Sequence, residues 1–304
     1  MQLQGREHNQ APVKTKYFAQ LAGLSALWGA SFMLIRIASP VLGPNVLAAL
    51  RIGMATLTLA VLMRAIRHRW PIAHWRELAL LGVLSVAAPF LLFAWAALKL
   101  PAGYSALLNT TAVMFGIVSA AWMKEDTLTL RKLMGCIFGF AGVALIVGLG
   151  PVDPSPQVIL AALACTLGSA CYGISTPLMK RALTRMQPLE IAAGIHALAL
   201  VMLLPGAAWS WPQANFTPGA LAAVALMGVV TSGLAYWLHI RILVHVSPVA
   251  AMSPIFMIPV FGVTWGHLFL GEELGAGIWA GGALVLIASA LITGFSPWRR
   301  RPKP

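Results

Sequence analysis

Two phrases in the chain hold the side chains best suited to recognising a molecule. SALWGASFMLIR fills positions 25–36 and SACYGISTPLMK fills 169–180. At an offset of 144 residues, Ser25, Gly29, Ser31 and Leu34 fall on Ser169, Gly173, Ser175 and Leu178, and Trp28 falls on Tyr172. An indole and a phenol in equivalent places offer ring faces that stack on a planar or apolar molecule, and equally pack between helices. The glycines, with Ser31 and Ser175, allow close helix approach, or in the case of the hydroxyls touch a ligand. Asn109 in the run Asn109-Thr110-Thr111 puts an amide among apolar residues. It either bonds across to another helix or orients a substrate's polar end, because an unpaired amide is costly there. Pro254 and Pro259 each free a carbonyl one turn earlier, near Ala250 and Ile255, as an acceptor or as the side effect of a kink. Of Phe90, Phe93, Trp95, Tyr236, Trp237 and His239, Trp95 and Tyr236 are the choices for a binding surface, with some of the others turned to lipid.

This chemistry is recognition, not bond breaking. The chain has no phosphate loop, no HExxH and no paired carboxylates at depth in its apolar runs. Its acidic residues, Glu7, Glu77, Glu125, Asp126, Asp153, Glu190, Glu272 and Glu273, fall in tails, loops or helix ends. Glu125 and Glu272 are placed to cap the runs that follow them. His196 and His267 are expected to be buried, neutral and hydrogen-bonded. Cys136, Cys165 and Cys171 all lie in apolar runs and are read as packing residues. No metal, cofactor, enzyme activity or nucleic-acid partner is expected.

The elements that position these residues are set by composition. The 304 residues are 59% hydrophobic and 10% charged, with a mean hydropathy of +0.83, against roughly 25% charged in a soluble domain. Apolar stretches recur at about 18–40, 45–64, 78–98, 102–122, 132–150, 157–178, 189–209, 219–240, 248–270 and 275–295. Each is long enough to cross a hydrocarbon core of about 30 Å as a helix, and none alternates as a barrel strand would. The expected fold is therefore all-α and integral to the membrane, with ten transmembrane helices.

The net charge of +13 is distributed by loop. Of the 21 lysines and arginines, all but Arg36, Arg51 and Lys99 fall in the tails or in the loops after the second, fourth, sixth and eighth stretches. The positive-inside rule puts that side, and both termini, in the cytoplasm. The 144-residue offset also pairs Pro44 with Pro188, Pro89 with Gly233 and Trp95 with His239; beyond the eighth stretch an offset of 147 pairs Glu125 with Glu272 and Gly135 with Gly282. The basic loop residues Arg64, Arg67, Arg69 and Arg76 fall on Ala208, Trp211, Gln213 and Ala220. Five spans is an odd number, so the second copy enters from the opposite side: the copies form an inverted-topology repeat, an architecture of secondary transporters. The expected division is a cytoplasmic tail over 1–17, one five-helix repeat over 18–150, an extracytoplasmic linker over 151–156, a second repeat over 157–295 and a basic cytoplasmic tail over 296–304.

The two inverted halves, the WGAS phrase and the glutamates after the fourth and ninth stretches (MKED and LGEE) resemble the EamA branch of the drug/metabolite transporter superfamily. In length and aromatic content the chain is similar to that branch's YddG-like amino-acid exporters. The resemblance implies a cavity lined by spans one, three, four, six, eight and nine, in an inner-membrane protein that exports small metabolites. Small multidrug-resistance relatives carry a buried Glu three residues before the first-span glycine; here those positions are Ala26 and Ala170, which points away from tight proton coupling. The expectation is a monomeric secondary transporter working by alternating access. Its cargo would be small neutral metabolites, above all aromatic or hydrophobic amino acids including methionine. A drug or purine exporter is the alternative, and a membrane sensor or assembly partner the non-transport one. The candidate substrate residues are Trp28, Ser31, Trp95, Asn109, Tyr172, Ser175, Tyr236 and Pro254.

Overall fold

A computed structural model describes residues 13–96, 99–100, 102–147, 155–271 and 277–295, which are helical and without strands. The helical runs are α1 (Thr15–Leu42), α2 (Pro44–Ala65), α3 (75–96), α4 (Ala102–Trp122), α5 (Leu130–Val147), α6 (Pro156–Ala182), α7 (Pro188–Ser210), α8 (218–243), α9 (Pro248–Ala251, then Pro254–Leu270) and α10 (Gly277–Thr293). Among the described residues, six stretches are long and apolar enough to cross a membrane: Pro44–Ala65, Ile72–Phe93, Pro156–Ala182, Pro188–Gln213, Pro218–Leu243 and Pro248–Phe269, with Leu107–Trp122 and Gly277–Thr293 shorter and also apolar. The outer surface carries many large apolar side chains. Val61, Val118 and Leu163 are 62%, 66% and 60% exposed, which water would penalise and lipid does not.

Local sequence explains where the helices start. Proline opens α2, α6, α7, α8 and α9, where its missing N–H costs nothing. The hydroxyls of Ser155, Thr217 and Ser247 accept from Val158, Ala220 and Ala250, and Gln187 with Glu190 closes a capping box on α7. Gly43, at φ 72°, makes the sharp turn from α1 to α2, a conformation that favours glycine.

The connections sort to two ends. At one end Arg181 donates to Glu125 at 2.8 Å and Arg185 to Glu77 at 2.6 Å, while His68 meets Glu190 at 3.1 Å. Lys180 caps the end of α8 by donating to the carbonyls of Leu243, Val244 and Val246. Val13 N–H donates to Thr293 O at 3.1 Å, and Phe18 stacks on Phe295 with centroids 4.2 Å apart. The loops after α2, α4, α6 and α8 thus share one end with both described ends of the chain. At the other end Asn215 N–H reaches Val41 O at 2.7 Å, and Asn45 donates to Ser210 at 2.8 Å.

The structure adds detail to the sequence expectations here. The first helix begins at Thr15, inside the expected 1–17 tail, and just before it Val13 N–H is tied to Thr293 O. Near the start of α5, Thr129 takes the N–H of Lys132, and Glu125, expected as a cap there, accepts from Arg181. Arg51, already set apart from the basic loops, lies inside α2. Residues 1–12, 97–98, 101, 148–154, 272–276 and 296–304, and with them Glu272, most of the linker and the basic tail, lie outside the described residues.

Contacts recur between the first and second halves. A Cβ built on Gly82 would lie 2.9 Å from Ile195 O and 3.6 Å from Ala199 N; one on Gly228 would lie 2.8 Å from Arg51 O and 3.4 Å from Ala55 N. The partners correspond at 144 residues, as read from sequence, but the glycines correspond at 146. Past α8 the 146 offset holds: Gly29 abuts Ile258, Phe261 and Gly262, whereas Gly173 abuts Ala112, Phe115 and Gly116. The counterpart of Gly135 is Gly281, which packs on Gly142, not Gly282, around which there is open space. Adjacent glycines in an apolar run let sequence matching slip by one residue; packing does not.

Candidate functional site

Both α3 and α8 contain a stretch of π-helix, Val83–Ala87 and Met227–Leu234. An i→i+5 turn widens the helix and turns backbone groups toward its neighbours, and such turns are frequent at functional sites. In α8 the stretch becomes a hub. Trp28 Nε1 donates to Thr231 O at 2.9 Å, Ser31 Oγ donates to Thr231 Oγ1 at 3.0 Å, and the Thr231 hydroxyl donates in turn to Met227 O at 3.0 Å. Arg51 Nε donates to Ser232 Oγ at 2.6 Å, with a weaker approach to Thr231 Oγ1 at 3.4 Å. The guanidinium also lies 4.8 Å from the Phe90 ring centre, where the ring face attracts a cation.

A row of rings continues from this hub. Trp28 meets His239 edge-on at 5.4 Å, His239 faces Tyr236 at 6.2 Å, and Tyr236 meets His196 at 5.0 Å. Tyr236 reaches back to the π-stretch of α3, its hydroxyl 3.5 Å from Ser85 O. His196 Nδ1 lies 2.8 Å from Ala192 O; a carbonyl only accepts, so the proton sits on Nδ1. On the other side Phe93 stacks against Tyr172 at 6.3 Å. Indole, imidazole and phenol groups thus converge with a guanidinium and two hydroxyls, a surface for one apolar and one polar end of a small solute.

The sequence-derived candidates divide. Trp28, Ser31, Tyr172 and Tyr236 are members of this constellation. Ser175 is buried and donates to Tyr172 O in its own helix. Asn109 Oδ1 is buried without a partner, whereas Thr110 and Thr111 bond their own helix at Leu107 and Leu108. Trp95 is 46% exposed; Phe93 is the residue facing Tyr172, and at the 146 offset Phe93, not Trp95, corresponds to His239. Pro254 does not leave the Ala250 carbonyl free: α9 breaks at Met252 and Ser253, and Ser253 N–H takes Ala250 O at 3.2 Å. His196 is buried as expected, but His267 is exposed. Sequence reasoning missed Arg51, Thr231, Ser232 and the site role of His239. A charge at the eighth place of an apolar run was the available signal for Arg51. A second apolar region, the groove of about 240 Å³ between Trp70, Ile72, Trp75 and Ala197, presents no side chain to orient a polar solute.

Comparison with known proteins gives consistent matches. The family model described as the EamA-like transporter family matches residues 17–148 and again 159–294. The chain is 28% identical over 294 residues to the uncharacterized transporter YvbV of Bacillus subtilis, covering 92% of each chain. It is 25% identical to a probable terminal-alkyne amino-acid exporter of Streptantibioticus cattleyicolor, covering 90% of this chain and 92% of that one. A solved crystal structure shares the fold at 15% identity, with a TM-score of 0.80, over 92% of this chain and 99% of the other.

Proposed function

The chain belongs to the EamA-like transporter family, a multi-pass membrane protein, and from that premise we propose that it exports small neutral metabolites, above all aromatic or hydrophobic amino acids including methionine, across the inner membrane. The constellation centred on Thr231 carries the reading: it gathers rings for an apolar side chain and polar groups for a head group, and among the described residues contains no carboxylate to demand a cationic drug. The relative named as an amino-acid exporter supports the substrate class.

The mechanism is alternating access between two inverted five-helix halves. Three observations support it: the recurrence of close contacts at 144 and 146 residues, the pairing of π-stretches in α3 and α8, and the gathering of alternate connections at opposite ends. Two halves with near-equivalent packing can exchange conformations, which opens a shared central site first to one side and then to the other. Transport is facilitated, not tightly proton-coupled, because Ala26 and Ala170 hold no carboxylate; the Ala26 carbonyl accepts from Trp265 Nε1 at 2.9 Å.

Counterflow into proteoliposomes holding only this protein tests the function. Labelled methionine or phenylalanine should accumulate against an internal unlabelled pool; movement of purines or cationic dyes in their place would establish the alternative exporter. Topology is tested separately. A cysteine at the exposed Gln157 should react with an impermeant thiol reagent on sealed right-side-out vesicles, and one at the exposed Arg69 should not. Native background should be low, since Cys136 and Cys165 are buried and Cys171 half-buried. Equal labelling of both positions from one face would overturn the inverted arrangement.

A further inference from the structure

Arg51 occupies the eighth place of α2, roughly 10 Å in from the helix start at about 1.5 Å per residue. Its hydrogen-bond and ring partners among the described residues are neutral: the Ser232 and Thr231 hydroxyls and the Phe90 ring. The carboxylates among the described residues are held elsewhere, at the basic end, Glu77 by Arg185, Glu125 by Arg181, Asp126 by Lys132 and Glu190 by His68. A guanidinium has five N–H donors, and the two hydroxyls occupy only part of that set. A charge at membrane depth with no counter-ion among the described residues is expensive and marks function by default. A second observation also points to a ligand. His239 Nδ1 is buried and has no hydrogen-bond partner, and its ring abuts Trp28, whose N–H shares Thr231 with Arg51.

We propose that Arg51 receives the carboxylate of the transported solute, which is the missing counter-ion. The inference rests on the transporter reading above and narrows it to carboxylic acids. The planar donor fork of Arg51 suits a carboxylate. The Trp28, His239 and Tyr236 rings then lie where the rest of an amino acid extends, and His239 Nδ1, in the tautomer with its proton on Nε2, accepts from the ammonium. A cation without an acid group would meet like charge and no compensation.

The test uses matched solutes competing with labelled methionine in proteoliposomes: methionine against methioninamide, and 4-methylthiobutanoate against 3-methylthiopropylamine. The acids should compete at least about tenfold better than their partners, as expected when a buried charge loses its mate. R51K should keep the acid preference with weaker binding, and R51Q should abolish the preference. Thermal stabilisation of the detergent-solubilised wild-type protein should follow the same order, so the comparison stands even if R51Q fails to fold. Amides that compete as well as acids, or an R51Q protein that still prefers acids, would overturn the carboxylate assignment and leave amino-acid transport standing. Transport of dyes or purines but of none of these solutes would remove the amino-acid reading and this inference with it.

Discussion

Gly173→Leu should leave almost no folded protein, while Gly23→Leu should express and behave like the parent, measured as the monodisperse fraction and thermal midpoint of purified protein. Both glycines lie in apolar helices, so hydropathy and helix propensity change similarly in the two variants. What differs is the neighbour. A Cβ on Gly173 would lie 2.6 Å from Phe115 Cβ, 2.7 Å from Ala112 O and 2.7 Å from Gly116 N, and two of those three atoms are backbone. Around Gly23 nothing lies within 4 Å. Backbone cannot step aside as a flexible side chain can, so even Gly173→Ala must separate α4 from α6, at about 1–3 kcal/mol for overpacking. In lipid, close approach is a main source of helix association, since burial from water contributes nothing there. Gly29 faces the equivalent contact with α9, its Cβ 2.8 Å from Phe261 Cβ and 2.9 Å from Gly262 N. Gly29→Leu should therefore fail alongside Gly173→Leu. A folded Gly173→Leu with the thermal midpoint of Gly23→Leu would show that these helices do not touch where the structure puts them.

The sequence was most readable where solvent does the sorting. Apolar runs located the helices to within a few residues, and the basic loops foretold the connections that meet at one end, because lipid and water divide residues sharply by type. Register was less readable. Within a membrane helix nearly every residue is apolar, so a slip of one or two positions costs little in sequence similarity, and Trp95 was matched to His239 where contacts select Phe93. The site was readable only in its large rings. Trp28 and Tyr236 stood out by size, but the role of Thr231 depends on a π-stretch that frees and redirects backbone, which no residue type announces. Arg51 was visible, set apart from the basic loops, but not read as a site residue: near the start of a run, an end charge and a buried charge look alike in sequence. Only its partners, two hydroxyls and a ring, distinguish the cases.

Trp28→Ala should weaken transport of an aromatic or methionine substrate by roughly tenfold or more, taking 1.4 kcal/mol as a factor of ten and about 0.5–1.5 kcal/mol for an aromatic contact beyond its burial. The substitution removes the ring beside His239 and also the N–H that holds Thr231 O. Trp28→Phe separates these losses. It keeps a ring and gives up the hydrogen bond, a contribution of about 0.6 kcal/mol on average between membrane helices, so its defect should be only a few-fold. Phe93→Ala should resemble Trp28→Ala, because Phe93 faces Tyr172, whereas Trp95→Ala should transport nearly normally from its exposed position. Asn109→Ala should weaken substrates with a free amino group and spare analogues without one, since its unpartnered Oδ1 can only accept. Rates must be compared per folded molecule, as all of these side chains also pack. Normal transport by both Trp28→Ala and Phe93→Ala would relocate the substrate away from the Thr231 constellation. A Trp95→Ala defect as large as that of Trp28→Ala would instead extend the binding surface outward along α3.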